Sequence, residues 1–416
     1  MGRLFWFVPG KSGLKIASFS GHVAWKSKIR LPGNIMLSNS DIIELTKFRR
    51  HLHEKPELSG EEYETARMVT EFMRDTTPDE VLTELGGTGI ALIYNGTEPG
   101  PTVMVRAELD ALPIEELTEV EHKSQVEGKG HLCGHDGHMA MVCAVGRMMA
   151  KQRPARGRVV LLFQPAEETG QGARAVLDDP RFAQIAPDVA LSLHNLPGLP
   201  LGNVAIVDGP ANCASRGIRI ELTGKTAHAS MPETGVSPMN AVAELMPGLT
   251  ALGAGGALVP GYRLVTVTHA EMGEAVFGVT PAHAVVLGTL RCLEDADMAA
   301  LCEDAEALIA RVAERDGLQV NTSYHDVFYA CTNAPDPTAV LKRAVESCNI
   351  PVIEDQDPVR WSEDFGLFGK EAQSSMFLLG SGTDQPQLHN PDYDFPDDLI
   401  PVGAGVFEAA IREILG

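Results

Sequence analysis

The run R-V-V-L-L-F-Q-P-A-E-E at residues 158–168 decides how this chain folds. Its apolar core is β-branched and does not alternate with polar residues, the pattern of a strand buried on both faces of a parallel sheet. It ends on two adjacent carboxylates, Glu167 and Glu168. Three further segments repeat the design. Residues 102–105 lead into Arg106, Glu108 and Asp110, and residues 189–193 lead into His194. Residues 376–379 lead into Ser381, Thr383, Asp384 and, further on, His389. In an open α/β sheet the carboxyl ends of such strands share one crevice, where ligands bind. Helices supply the crossovers, including one expected from about residue 137 to 151. Just before that helix stands H-L-C-G-H-D-G-H at 131–138.

A chain of 416 residues exceeds what one core usually serves, so more than one domain is expected. With 34 Lys+Arg against 56 Asp+Glu, the net charge of −22 disfavours phosphate backbones and anionic membranes. We expect no nucleic-acid and no membrane partner. The seven cysteines are odd in number and scattered, unlike a disulfide framework, and fit a reducing cytoplasm. No stretch approaches the roughly 18 apolar residues of a membrane span. Residues 1–35 carry six cations and no acid. They read either as a transit-like leader or as an extension upstream of a true start near Met36. In both readings they stand outside the fold.

From Ser40, apolar residues recur at helical spacing. Ser59 with Glu62 then has the spacing of a capping box for a second helix, after a break at Pro56. Between residues 212 and 322 the texture changes. Strands expected at 218–222, 263–268 and 284–287 and helices near 240–249 and 295–314 give β-α-β-β-α-β in outline, a split ferredoxin-like arrangement. Strands delivering site residues occur on both sides of this block, so it reads as an insertion. The expected order is an extension (1–35), a catalytic domain begun at 36–211 and completed at 323–416, and an inserted domain (212–322). The fold class is α/β, with a mostly parallel catalytic sheet.

The chemistry rests on side chains that suit a divalent metal. Cys133 and His135 lie in a Gly-containing turn and can bend toward one ion, although such a pair alone is usually coincidence. His138 begins the following helix, where a packing role and a functional one are equally open. Adjacent carboxylates past a buried strand repel each other unless cations neutralise them. Because neighbouring side chains diverge, one of the pair can bind metal while the other faces the attacking water. His194 and His389 would each alone read as structural histidines; with the rest they complete a set better suited to two metals than to a closed structural zinc site.

R-R-H-L-H-E-K-P-E-L-S (49–59), R-A-E-L-D-A-L-P (106–113), C-G-H-D-G-H, Q-P-A-E-E, G-K-T-A-H-A-S-M-P (224–232) and L-H-N-P-D-Y-D-F together resemble the aminoacylase-type metallopeptidases. The match is to the branch of hippurate and indole-3-acetyl-amino-acid amidohydrolases, over about residues 40–416. It implies an α/β catalytic domain of zinc-peptidase type, with the ferredoxin-like insertion at 212–322 as a dimerisation domain. The resemblance implies that Cys133, His135, Glu168, His194 and His389 hold two divalent ions, manganese or zinc. It implies Glu167 as catalytic base and later proton donor to the leaving amine, and Asp110 as a carboxylate orienting a ligand histidine. His228 would reach a catalytic site to bind the substrate carboxylate or the developing oxyanion, often across a homodimer interface. Arg291 could pair with a substrate carboxylate, or form a plain surface salt bridge.

Two departures from the family pattern stand out. Glu108 replaces an Asp, and V-F-G-V-T-P (276–281) carries Gly278 where relatives have an Asn able to bind substrate. The expected activity is hydrolysis of a small-molecule N-acyl amino acid, the acyl group being of acetyl, benzoyl or indole-acetyl type. Deacetylation of N-acetyl-diaminopimelate, N-carbamoyl hydrolysis and dipeptide cleavage are the alternatives on the same scaffold. A metal-stabilised binding protein without catalysis would have no use for Glu167.

Overall fold

The computed structural model describes residues 37–416; the expected extension at 1–35 lies outside them. The four apolar runs form adjacent central strands of one eight-stranded sheet. Its order is Glu80–Leu85, Gly89–Asn95, Arg156–Gln164, Glu98–Glu108, Val189–Pro197, Gln373–Gly382, Val204–Ala205 and Val352–Ile353. The four strands in the middle run parallel, while the two strands at the Glu80–Leu85 end are antiparallel to their neighbours. Met104, Val160 and Leu162 point to one face, where they bury against Ala173, Val176, Phe365 and Phe368. On the other face lie the helices His135–Lys151 and Ile400–Leu415, with Asn39–His53 packed outside them. Coverage on both faces is why these strands lack alternation.

The second helix, Tyr63–Met73, starts without the capping box expected from Ser59 and Glu62. Both side chains are engaged elsewhere. Ser59 Oγ donates to Asp110 Oδ2 at 2.7 Å. Buried Glu62 accepts from the Gly60 and Ala166 amides and from Thr88 Oγ1. A capping box does form at Ser38 and Asp41, at the start of Asn39–His53.

The block after residue 212 forms a separate four-stranded antiparallel sheet in the order Arg263–Met272, His283–Cys292, Ala214–Thr223, Gln319–Phe328. With the helices Met239–Ala251 and Asp295–Asp316 this is β-α-β-β-α-β with a ferredoxin-like strand order. Its own core joins Ile218, Ile220, Leu222, Val286 and Leu290 to Leu245, Leu249, Leu301 and Ile309. The last strand spans the boundary expected at 322, because its pairing with Ala214–Thr223 runs on to Phe328 opposite Ser215. All seven cysteines are free and buried. No helix among the described residues is long and apolar enough to cross a membrane.

Candidate metal centre

Cys133, His135 and His194 bring their ligand atoms within 4.8 Å of one another, and so do Cys133, Glu168 and His389. Cys133 belongs to both groups. Gly134, the middle residue of the Cys-Gly-His segment, has a left-handed φ of 97°, so Cys133 and His135 can converge. A Cβ there would meet Asn195 Oδ1 at 2.5 Å. The two carboxylates owe their direction to Ala166, a non-glycine residue at φ 49° held by the amide bond it donates to Glu62. His389 is also left-handed, at φ 66°, and its amide donates to the Leu132 carbonyl. Strained positions of this kind persist where surrounding contacts fix them, and they concentrate at functional sites.

Hydrogen bonds set the ligand tautomers. His135 Nδ1 donates to the Asp110 carbonyl oxygen at 2.9 Å, and His194 Nδ1 donates to the Asn195 carbonyl at 2.8 Å. Both rings therefore turn Nε2 into the cluster. His135 Nε2 and Glu168 Oε1 are buried without a hydrogen-bond partner. Buried polar atoms are otherwise almost always paired, and these two lie 3.9 Å apart. A thiol, imidazoles and carboxylates with converging vacant lone pairs are the donor set for a divalent transition metal. The residues present fit such an ion.

Asp110 touches both His135 and the Glu168 backbone. Its backbone carbonyl, and not its carboxylate, takes the His135 proton; carboxylate Oδ1 stays 3.5 Å from that ring. Oδ2 accepts from the Glu168 amide and from Ser59. The reason is reach: the strand end places the main chain against the ring and the side chain against the Pro-Ala-Glu-Glu turn. His138 converges with Glu108 and His135 within 4.8 Å, apart from Cys133, but its nitrogens have other partners. Its Nδ1 donates to Glu108 at 2.6 Å and its Nε2 lies 2.6 Å from Asn195 Oδ1, so both nitrogens are taken. The longer side chain of Glu108 meets both Arg106 and His138.

Glu167 lies beside a group that the sequence reading missed. Arg106, fully buried, pairs with Glu108, with Glu363 at 2.9 Å and with Asp364 at 2.5 Å. Glu167, Glu363 and Asp364 converge, and the Asp364 amide lies 3.4 Å from Glu167 Oε1. Burial, then the charges of Glu363, Glu168 and Asp364, raise Glu167 well above the usual carboxylate range. Burial likewise pushes Glu168 up to about 7. Burial, with the neighbouring His138 and His135, holds His194 well below the usual imidazole value. A bound cation inverts this balance by favouring the deprotonated ligands. The missed pair was legible in S-E-D-F at 362–365, since adjacent acids before a buried aromatic run carry the same signal as Glu167-Glu168.

Behind the ligands a second buried network fixes the helix that begins at His135. Arg49 bonds Asp136, Asp394 and Asp397, and His53 Nδ1 donates to Asp136 at 2.9 Å. This is the role of R-R-H-L-H at 49–53.

His228 and Arg291 lie outside the cluster. His228 is exposed on the short strand Ala227–His228, paired to Val279–Thr280, and its Nδ1 bonds Ser230 Oγ. The Cβ direction of Gly278, nearby, faces open space. Arg291, on His283–Cys292, forms no salt bridge among the described residues. Its Nη1 donates to the Arg360 carbonyl at 2.5 Å and to Ser362 Oγ at 2.8 Å.

Comparison with known proteins gives the same arrangement a lineage. The chain is 29% identical over 371 residues to an N-acetyl-L-cysteine deacetylase of Bacillus subtilis, covering 89% of this chain and 88% of that one. It is 29% identical to an IAA-amino acid hydrolase, ILR1-like 5, of Arabidopsis thaliana, covering 88% and 86%. Among solved structures, a putative aminohydrolase from methicillin-resistant Staphylococcus aureus superposes with a TM-score of 0.82 at 27% identity, covering 91% of this chain and 97% of that one. The sequence profile of peptidase family M20/M25/M40 matches residues 104–413. The chain belongs to peptidase family M20/M25/M40, in its aminoacylase-type amidohydrolase branch, and is a hydrolase of amide bonds.

Proposed function

We propose that this protein hydrolyses N-acyl amino acids to a carboxylic acid and a free amino acid with two divalent ions, manganese or zinc, held by Cys133, His135, Glu168, His194 and His389. The observation that carries the reading is the pair of orphaned buried atoms, His135 Nε2 and Glu168 Oε1, converging beside Glu167. The two ligand groups that share Cys133 support a count of two ions. When bound, the cations supply Lewis acidity toward the amide carbonyl and make water easier to deprotonate. Glu167 takes the proton of the attacking water and returns it to the leaving nitrogen. Its neighbours Glu363 and Asp364, with Glu108, occupy Arg106, which forms no salt bridge with Glu167 among the described residues. Asp110 holds His135 through its carbonyl and Glu168 through its carboxylate, and is a positioning residue.

His228 is assigned to substrate contact across a homodimer. In support, Met231, Val276, Phe277 and Val279 around it are exposed and apolar, a surface that a monomer rarely leaves bare. Arg291, without an acid partner among the described residues, keeps a charge able to attract the substrate carboxylate. The seven free thiols accord with a cytoplasmic location. The test is release of free amine from N-acetyl, N-benzoyl and indole-acetyl amino acids, alongside N-acetyl-diaminopimelate, N-carbamoyl amino acids and dipeptides, by metal-stripped protein with and without manganese or zinc. Metal-restored cleavage of the first group is the expected result. Cleavage confined to the second group would reassign the substrate, and failure to bind metal would remove the mechanism.

A further inference from the structure

The wall beside the ligand His194 is an indole. The Trp361 ring lies 4.6 Å from the His194 ring, centroid to centroid, at 51°. Trp361 is only partly buried, and it rests on an apolar bed of Ala205, Val359 and Leu378 flanked by Leu196, Leu199 and Ile353. The cluster on the side of His135 is bordered instead by ionisable groups, Glu167, Glu168, Glu363 and Asp364. The indole is also held. Arg291, reaching from the inserted sheet, donates to the carbonyl of the residue before it and to the hydroxyl of the residue after it. A rigid aromatic face is therefore presented next to a metal-ligand candidate, with its flanking backbone pinned.

Resting on the amidohydrolase reading, we propose that Trp361 is a specificity-determining residue, the platform on which a flat aromatic acyl group of the substrate packs. An amide carbonyl brought to Cys133, His135 and His194 must place one substituent along the His194 side. An acyl group there meets apolar surface without desolvating a charge, and an aromatic one gains offset or edge contact with the indole beyond its area of burial. Preorganisation by Arg291 lowers the ordering cost of that contact. An acetyl group is too small to use the platform.

The test uses the full-length, metal-loaded chain with Trp361→Ala and Trp361→Phe, comparing kcat/KM for the N-benzoyl and N-acetyl derivatives of one amino acid. The benzoyl/acetyl ratio is expected to fall about tenfold in Trp361→Ala and to be largely kept in Trp361→Phe. A second readout does not depend on turnover. Trp6 and Trp25 are the other tryptophans, so a full-length Trp6→Phe/Trp25→Phe protein reports on Trp361 by fluorescence. Benzoate is expected to change that emission saturably and acetate to leave it unchanged. A ratio that stays the same in both variants, or equal response to benzoate and acetate, overturns the assignment. If the parent protein cleaves neither compound, the acetyl and benzoyl part of the substrate reading fails, and the fluorescence titration alone decides whether Trp361 is an aromatic-acid platform.

Discussion

Replacing Glu167 by Gln isolates proton transfer from everything else this site does. The side chain keeps its shape and is 5% exposed. Its contacts are one long amide bond from Asp364 and a 3.9 Å approach to His135 Nε2, so little packing is at stake. The five proposed metal ligands stay in place. Burial and then Glu363, Glu168 and Asp364 disfavour ionisation of Glu167, and a neutral Gln suits that surrounding, so the fold should lose no stability. General-base catalysis contributes about 10²- to 10⁴-fold, equivalent to about 3–5 kcal/mol of transition-state stabilisation. The expected result is a loss of that size in kcat, with KM little changed, metal content equal to that of the parent, and an unchanged or higher melting temperature. Steady-state kinetics on the best N-acyl amino acid, metal analysis of the dialysed protein and thermal melts measure the three quantities. Parent-level kcat with both ions bound would refute the base assignment. Loss of metal together with activity would show that Glu167 is a ligand.

Glu168→Gln should weaken metal binding, seen as a rightward shift in a manganese titration followed by activity, because it removes the charge that meets both His135 and His389. Arg106→Met should destabilise the fold by about 3–5 kcal/mol in urea melts, since it strands three buried carboxylates; an effect below about 1 kcal/mol would mean those acids are protonated. Gly134→Ala puts a side chain into left-handed backbone against Asn195, costing about 1–2 kcal/mol from the backbone alone; metal retention at parent affinity would contradict the role given to this turn. His53 is held at about 9, against 6.5 for a free imidazole: burial opposes the charge, but Asp136 and Glu116 outweigh it. A raised value means the folded state binds the proton more tightly, so its contribution, about 3 kcal/mol, is complete below pH 6.5 and disappears as pH rises through 9; His53→Gln should abolish that part of the slope in denaturation at pH 6 to 9.5. Phe277→Asp should shift sedimentation from dimer to monomer, and a parent protein already monomeric would remove the interface assignment.

The sequence by itself determined the catalytic layer. Apolar runs without alternation identify strands covered on both faces, and those at 159–163 and 189–193 lead into Glu167, Glu168 and His194, whereas Cys133 and His135 were marked by their spacing in a Gly-containing turn before a helix. The alternating texture of the inserted block likewise revealed its β-α-β-β-α-β order. Tertiary structure decided what depends on partners distant in the chain. Ser59 and Glu62 have capping spacing, yet Asp110 and Ala166 outbid the helix end for their hydrogen bonds. His138 sits among ligands in sequence but is claimed by Glu108 and Asn195. Arg106 joins Glu363 and Asp364, more than 250 positions away, because the short helix Asp364–Lys370, which leads into the strand Gln373–Gly382, packs against the sheet beside the end of Glu98–Glu108. Trp361 has no periodic neighbour to mark it; only the docking of the inserted sheet through Arg291 sets the residues around it beside His194. Local spacing fixes periodicity and chain direction, while the choice among competing hydrogen-bond partners is made by which groups the packed elements bring within about 3 Å of each other.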